Sequence, residues 1–458
     1  MNEIYETIEE KIADLLEKRQ YTALRGILQE MNPADIAQVL SGFEEEQIPL
    51  LFRLLPKELA AESFVEMEPE EQELLIQSFS DRELKQIVDE LFVDDAADLV
   101  EEMPANVVKR ILRQATPAMR TSINQILQYP ENSAGSIMTT EYVSLRTDMT
   151  VEESIQRIRK QGVDKETIYT CYVTKSRTLV GLVTVKDLLL CADDETKIGD
   201  IMEENVISVE TQTDQEEVAR MMSKYNFIAL PVVDKENRMV GIVTFDDAMD
   251  VMEDETTEDI EIMGGMLPSE KTYLRSSAFE LFKNRIPWLL LLMLSATFTG
   301  MIISAFEGAL AAQAALIAFI PMLMGTGGNS GSQSSVTVIR ALSLDEMHLD
   351  DLPIVIWKEI RTAVLCGLAL AAACFLKIWL VDKLLLGNED ITLLVDAVVC
   401  LALFATVVVA KLVGAVLPLG AKALGLDPAV MASPFITSIV DALSLLLYFL
   451  FARMLLGV

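Results

Sequence analysis

The sequence holds a single histidine, His348, in 458 residues. A zinc site built from histidines is excluded, and with it an H-E-x-x-H catalytic helix. Cysteine is scarce too. Cys171, Cys191, Cys366, Cys374 and Cys400 form no C-x-x-C pair, which fits a reducing compartment and argues against a disulfide framework or a thiolate metal site. Neither G-x-x-x-x-G-K-[ST] nor a D-K-T-G phosphorylation sequence occurs, so no energy-coupling motif is in view. No signal peptide is expected at Met1 to Glu10, which is polar and acidic. Basic residues number 37 against 70 acidic ones, for a net charge of −33. A surface this acidic repels nucleic acid and anionic lipid and attracts cations.

The charge is unevenly spread. Arg285 to Val458 carries a net of −3, and the residues before it carry −30. The chain is thus a strongly acidic part followed by an apolar one. Residues 1–130 read as all-helical with a short repeat. Turn-like starts recur at Met31-Asn32-Pro33, Leu55-Pro56, Met67-Glu68-Pro69, Ser80-Asp81, Val93-Asp94 and Met103-Pro104, each followed by apolar residues at helical spacing. Stacked short helices of this kind make a superhelical solenoid, an ordinary helical bundle being the other reading.

Residues 131–250 contain a duplication. Ser136-Ile137-Met138 matches Asp200-Ile201-Met202, and Gly181-Leu182-Val183-Thr184-Val185-Lys186-Asp187 matches Gly241-Ile242-Val243-Thr244-Phe245-Asp246-Asp247. Each copy reads as an α/β unit of strand, helix, strand, turn, strand and helix. These residues resemble a tandem of CBS domains, modules that commonly bind adenosine nucleotides. On that resemblance Thr184 and Asp187 would hold a ribose, with Tyr169 near the base, and Thr244 with Asp247 would form a second pocket.

A linker of unusual charge follows, assigned as a connecting helix over 251–275. No Lys, Arg or His lies between Arg238 and Lys271, whereas ten acids do. Asp247, Asp250, Asp254, Glu258 and Glu261 fall three or four apart, on one helix face. Like charges at that spacing each cost roughly 0.2–0.5 kcal/mol, so such a helix needs a neutralising partner.

The region 276–458 reads as a five-span α-helical membrane domain, with spans near 287–306, 312–339, 360–381, 392–417 and 429–455. Nine basic residues, Lys411 and Lys422 among them, fall on the side of the amino-terminal region and three on the other. That asymmetry places the amino-terminal domains in the cytoplasm and the carboxyl terminus outside. Asp441 sits mid-span in the last segment, where a carboxylate costs about 2.5–3.5 kcal/mol unless it faces a cavity or partner. No central Lys or Arg is expected beside it. The run Gly325-Thr326-Gly327-Gly328-Asn329-Ser330-Gly331-Ser332-Gln333 suggests irregular backbone whose carbonyls, with Asn329, Ser332 and Gln333, offer oxygen to a hard cation. Close helix packing through Gly327 and Gly331 is the alternative.

Together these features resemble the MgtE family of Mg²⁺ channels over nearly the whole chain. The resemblance implies a multi-pass homodimer in the bilayer of the bacterial inner membrane, with a pore between two membrane domains and Mg²⁺ entering down the membrane potential. Asp441 would hold hydrated Mg²⁺, near Gly328, Thr437 and polar groups of the second span, with Asp427 at the cytoplasmic mouth. Regulatory Mg²⁺ would bind among Glu62, Asp94, Asp98, Asp214, Glu216, Asp247, Asp250, Glu255, Glu258 and Asp259, closing the pore, and ATP would be a further regulatory ligand. No enzymatic activity and no nucleic-acid partner are expected. The rival readings are a transporter of Co²⁺, Mn²⁺, Ni²⁺ or an anion, a membrane enzyme, and a non-transporting membrane sensor. Soft metals would favour His, Cys or Met near Asp441, and an enzyme a second titratable group there.

Overall fold

A computed structural model of the chain describes residues 2–269, 273, 276–344, 346–388, 391–431 and 433–457. It divides into two units, Met1–Glu253 and Asp254–Val458.

The first unit opens with short helices that begin where the turn signals stand: Pro33–Ser41, Lys57–Val65, Pro69–Ser78, Asp81–Val88, Val93–Glu102 and Ala105–Gln114. Pro33 and Pro69 occupy first-turn positions, where a missing N–H costs nothing. Ser80 and Glu83 close a capping box ahead of Asp81–Val88. Helices this short are unstable alone. They are held by one apolar face each, Leu40, Phe64, Leu75, Leu84, Leu99 and Ile111 contributing to one continuous core. Contacts run mostly from each helix to the next but one, the packing of a superhelical stack.

Two three-stranded sheets follow, β1 (Tyr142–Leu145), β2 (Thr167–Lys175) and β3 (Thr178–Thr184), then β4 (Val209–Glu210), β5 (Ala229–Val233) and β6 (Met239–Thr244). In each, the first pair is parallel and the second antiparallel. The repeated motifs meet across the sheet edges. Thr139 exchanges both backbone hydrogen bonds with Ile242 on β6, and Glu203 does the same with Leu182 on β3. Gly241 and Gly181 make room for this: a Cβ on Gly241 would lie 2.6 Å from the Thr139 carbonyl oxygen, and one on Gly181 3.0 Å from that of Glu203. The duplicated G-h-h-T stretch (h, apolar) is therefore a docking strand in each copy.

The acidic linker forms one helix, Phe245–Met263, starting directly after β6. It ends earlier than 275, because Gly265 (φ +72°) closes it with Met266 N–H donating to Glu261 and Gly265 N–H to Ile262. The remaining expected linker, with Glu270, Lys271 and Arg275, falls partly outside the described residues.

Among the described residues of the second unit, four helical stretches are long and apolar enough to cross a membrane: Ala278–Ala305, Leu349–Leu385, Leu393–Ala423 and Pro428–Leu456. Expected span 312–339 is occupied mainly by Ile320–Ser343, a helix of 24 residues. At 1.5 Å per residue it reaches about 36 Å, enough to span, though its glycines and serines make it less apolar. It packs against Leu393–Ala423 and the final helix, Ser433–Leu456. Phe319, Leu323, Val398, Leu445 and Tyr448 build the core between them, and the Tyr448 hydroxyl donates to the Leu316 carbonyl at 3.0 Å. Ala278–Ala305 has no buried residue and presents Leu291, Leu294 and Phe298 outward, a face suited to lipid or a second protein surface.

Candidate functional site

The glycine-rich run is not irregular. Residues 325–333 lie inside the continuous helix Ile320–Ser343, so its carbonyls are committed to helical hydrogen bonds rather than left as ligands. Without water to satisfy the backbone, an unbroken helix wins over the roughly 1 kcal/mol that each glycine costs. The glycines serve close packing. A Cβ on Gly414, in Leu393–Ala423, would sit 2.2 Å from the Gly331 carbonyl oxygen, and one on Gly327 within 2.9 Å of Thr406, Ser444 and Val440. Gly328 faces Thr437, with a Cβ there 2.9 Å from Thr437 Cγ2. The opposite face of the same helix leaves Asn329 and Gln333 exposed and Ser332 half-buried.

Asp441 lies one turn beyond Thr437 on the final helix, and its Oδ1 is buried without a hydrogen-bond partner. A buried acceptor left unmade is costly, so this oxygen has the capacity to accept from a further group. Ser438 nearby accepts from Ser295 of the first span at 3.1 Å.

A basic residue is nevertheless buried among these helices, with Ser334 rather than Asp441 as its hydrogen-bond partner. Lys411 is 5% exposed within Leu393–Ala423. Its Nζ donates to Ser334 Oγ at 3.4 Å, and Ser334 Oγ donates to Glu359 Oε2 at 2.7 Å. Counting basic residues by side set Lys411 among the loop charges, although it falls inside the expected span 392–417.

At one end of these helices, the later part of the linker helix adds its acids. Ile262 and Met263 pack on Ile339 and Ala429, and Ser343 Oγ donates to Asp259 at 3.5 Å. Asp427 is exposed and accepts from Ala429 N–H at 2.8 Å. Burial, then Glu255 and Asp427, push the Glu258 carboxyl above its ordinary value. Asp427, Glu255 and Glu258 therefore share one negative field.

A second acidic cluster lies within the first unit. Burial, then Asp247, Asp95 and Glu166, hold Asp94 well above the usual carboxylate range. Burial and Asp247 raise both Asp95 and Asp98 to about 7, although Asp98 still reaches solvent. Glu166 is pushed to about 8 by burial, then by Asp95 and Asp247. Asp247 rises to about 6 through burial, with Asp246 and Asp250 adding to it and hydrogen bonds from Thr244 opposing. Glu141 accepts from the Val93 N–H at 3.2 Å and belongs to the same field. Asp94 Oδ1 and Glu166 Oε2 are buried and unpartnered. Among the described residues no three His, Cys, Asp or Glu side chains converge to grip one ion directly. A hydrated Mg²⁺, held by one or two carboxylates through its waters, fits such a cluster better than a caged ion does.

Other expected members stand apart. Glu62 is exposed on Lys57–Val65. Asp214 caps Gln215–Tyr225, accepting from Glu216 N–H at 2.9 Å, and Glu216 pairs with Arg220 at 2.7 Å. Asp95, Glu141 and Glu166 escaped the sequence reading. Asp95 could have been found beside Asp94; Glu141 and Glu166 reach the cluster only through tertiary contact.

In the expected nucleotide pocket, Thr184 and Asp187 form a capping box before Val185–Leu190. Thr184 pairs in register with Thr170, next to Tyr169, which is 66% exposed. Thr244 and Asp247 repeat that local bond at the start of the linker helix.

Comparison with known proteins matches three families: the MgtE intracellular N domain over 31–132, the CBS domain over 134–193 and 198–254, and MgtE, described as a divalent cation transporter, over 320–451. A protein named Magnesium transporter MgtE from Thermus thermophilus is 38% identical, over 98% of this chain and 99% of its own. One of the same name from Bacillus subtilis is 32% identical over 98% and 97%. The crystal structure of the cytosolic domain of the Mg²⁺ channel MgtE in complex with ATP superposes with a TM-score of 0.51 and 38% identity, covering 53% of this chain and 99% of that one.

Proposed function

This chain belongs to the MgtE family, and from that premise we propose how its parts divide the work of a magnesium transporter. Mg²⁺ enters the cell down the membrane potential, where two charges crossing 100 mV gain about 4.6 kcal/mol at ~2.3 each. The ion passes Asp441 hydrated, with Asn329, Ser332 and Gln333 offering oxygen along the path. Gly328 and Thr437 set the distance between the two helices. The observation that carries this reading is the buried, unpartnered Asp441 Oδ1 inside a domain of membrane-spanning helices.

Five spans, with the glycine-rich helix as the second, put the amino-terminal domains in the cytoplasm and the carboxyl terminus outside. Two copies form the pore, which would give the exposed Asn329 and Gln333 side chains an aqueous path to line. Cytoplasmic Mg²⁺ closes it by neutralising the clusters around Asp94, Asp98 and Asp247 and around Glu255, Glu258, Asp259 and Asp427, with Asp250 adding to the field at Asp247. Glu62, Asp214 and Glu216 supply outlying contacts. ATP binds the first CBS copy at Tyr169, Thr184 and Asp187, with Thr244 at a second pocket.

Asp441→Asn keeps shape and removes charge. Mg²⁺ uptake into liposomes should fall to background with equal protein incorporated; uptake at the parent rate would remove Asp441 from the pathway.

A further inference from the structure

We propose that Lys411, Ser334 and Glu359 form a charged clamp that sets the rotation of the glycine-rich helix and so positions the groups facing the ion. Three helices contribute one residue each: Leu393–Ala423, Ile320–Ser343 and Leu352–Lys377. Ser334 is 2% exposed and Lys411 5%. The hydroxyl accepts from Lys411 Nζ at 3.4 Å and donates to Glu359 Oε2 at 2.7 Å, so one serine bridges the two charges. An ionisable group inside a membrane domain is costly and marks function by default, with its partner part of the hypothesis.

The clamp sits next to the glycines. Gly327, Gly328 and Gly331 present no side chain to their neighbours, and Gly331 meets Gly414 backbone to backbone. Thr406, Val440, Thr437 and Ile436 of the neighbouring helices fill these hollows, and to that shape fit Ser334 adds a directional polar tie. Ser334 lies one turn past Gly331 on that buried side, whereas Asn329 and Gln333 are exposed on the other. Fixing Ser334 between two charges on two different helices therefore fixes where Asn329 and Gln333 point. Lys411 and Glu359 act here as positioning residues; neither touches the ion.

This inference rests on the ion-pathway reading of the same helix. The test uses full-length protein in liposomes, with Mg²⁺ flux measured across Mg²⁺ concentrations and thermal stability measured in detergent. Lys411→Met leaves the half-buried Glu359 and Glu359→Gln the buried Lys411 uncompensated, and each should lower maximal flux roughly tenfold. Lys411→Arg should keep most of it. Ser334→Ala, which removes no charge, should lower maximal flux with the half-saturating Mg²⁺ concentration unchanged. The double variant Lys411→Met/Glu359→Gln removes both charges at similar volume, so it should regain the parent's melting temperature but not its flux. If the single variants fail to fold, the double variant and Ser334→Ala carry the test. Parent-like flux in Ser334→Ala or in the double variant would reduce the triad to a folding contact and overturn the proposal. A parent that moves no Mg²⁺ would instead defeat the transport reading, and the clamp with it.

Discussion

At the level of single residues, the membrane domain turns on atoms that are missing. Gly414 and Gly331 meet with no space for a side chain, a Cβ on Gly414 falling 2.2 Å from the Gly331 carbonyl oxygen. Gly414→Ala should therefore destabilise the protein by about 1–3 kcal/mol, the usual cost of overpacking, and lower flux as the helices separate. Gly325 is the control: nothing lies within 4 Å of a Cβ there, and Ala favours a helix. Gly325→Ala should melt at or above the parent temperature. Equal loss in both variants, by thermal unfolding in detergent, would show that glycine content rather than close approach matters. The pattern Gly327-x-x-x-Gly331 is readable in the sequence as small-residue packing. Its contact with Gly414 is not, since Gly414 stands far along the chain with no marker of its own.

At the level of elements, the helix starting at Val93 and the linker helix starting at Phe245 bring Asp94, Asp95, Asp98 and Asp247 into one field, which Glu166 joins from the edge of β2. The folded-state values near 7 for Asp95, 6 for Asp247 and 8 for Glu166 lie above the ordinary 3.8, 3.8 and 4.5. A carboxyl so raised binds its proton more tightly folded than unfolded. Its contribution to stability is full below about pH 4 and is lost as pH rises through 6 to 8. In chelator, the melting temperature of the full chain should fall across that window. Millimolar Mg²⁺ should restore it at pH 8 and do little at pH 5; a flat profile, or equal rescue at both pH values, would contradict the cluster. The first CBS copy makes a separate claim. Its Thr184–Asp187 capping box stabilises Val185–Leu190 by about 0.5–2 kcal/mol. Asp187→Ala should lose this and also lose the heat of ATP binding, whereas Asp187→Asn, a shape-preserving change, should weaken the nucleotide more than the fold. ATP heat unchanged in both variants would leave Asp187 with its capping role alone.

For the whole molecule, the proposed gating has to carry the charge of the acidic amino-terminal part to the membrane domain. Acids along the single linker helix, Phe245–Met263, belong to both fields: Asp247 and Asp250 to the first, Glu255 and Glu258 to the second. On the proposed gating, neutralising them together would stabilise one arrangement of that helix, and a ligand shifts such an equilibrium only by its differential affinity for the two states. Several weak ions must supply about 5.5 kcal/mol to move a 1:99 population to 99:1. Replacing Asp247, Asp250, Glu255, Glu258 and Asp259 with Asn or Gln should leave a channel that opens at zero Mg²⁺ and no longer closes at high cytoplasmic Mg²⁺ in patch recordings. Parental closure in this variant would place the sensor elsewhere.

Local pattern alone determined the starts of the short helices, the duplicated CBS copies, the acidic linker, the membrane domain and Asp441. Each of these is carried by residues close in sequence: a proline at a first turn, a repeated G-h-h-T, a run without bases, an apolar stretch broken by one carboxylate. Tertiary structure decided the rest. The glycine run became a regular helix because neighbouring backbones could pack onto it while helical hydrogen bonds satisfy its own backbone. Lys411, counted by sequence among the charges of one membrane side, became a buried partner of Ser334. Glu141 and Glu166 became members of an acidic cluster through contacts with the distant Val93–Glu102 helix and with Asp247. Charge and burial act through space, and a carboxylate's neighbours in space are set by packing that no local pattern encodes.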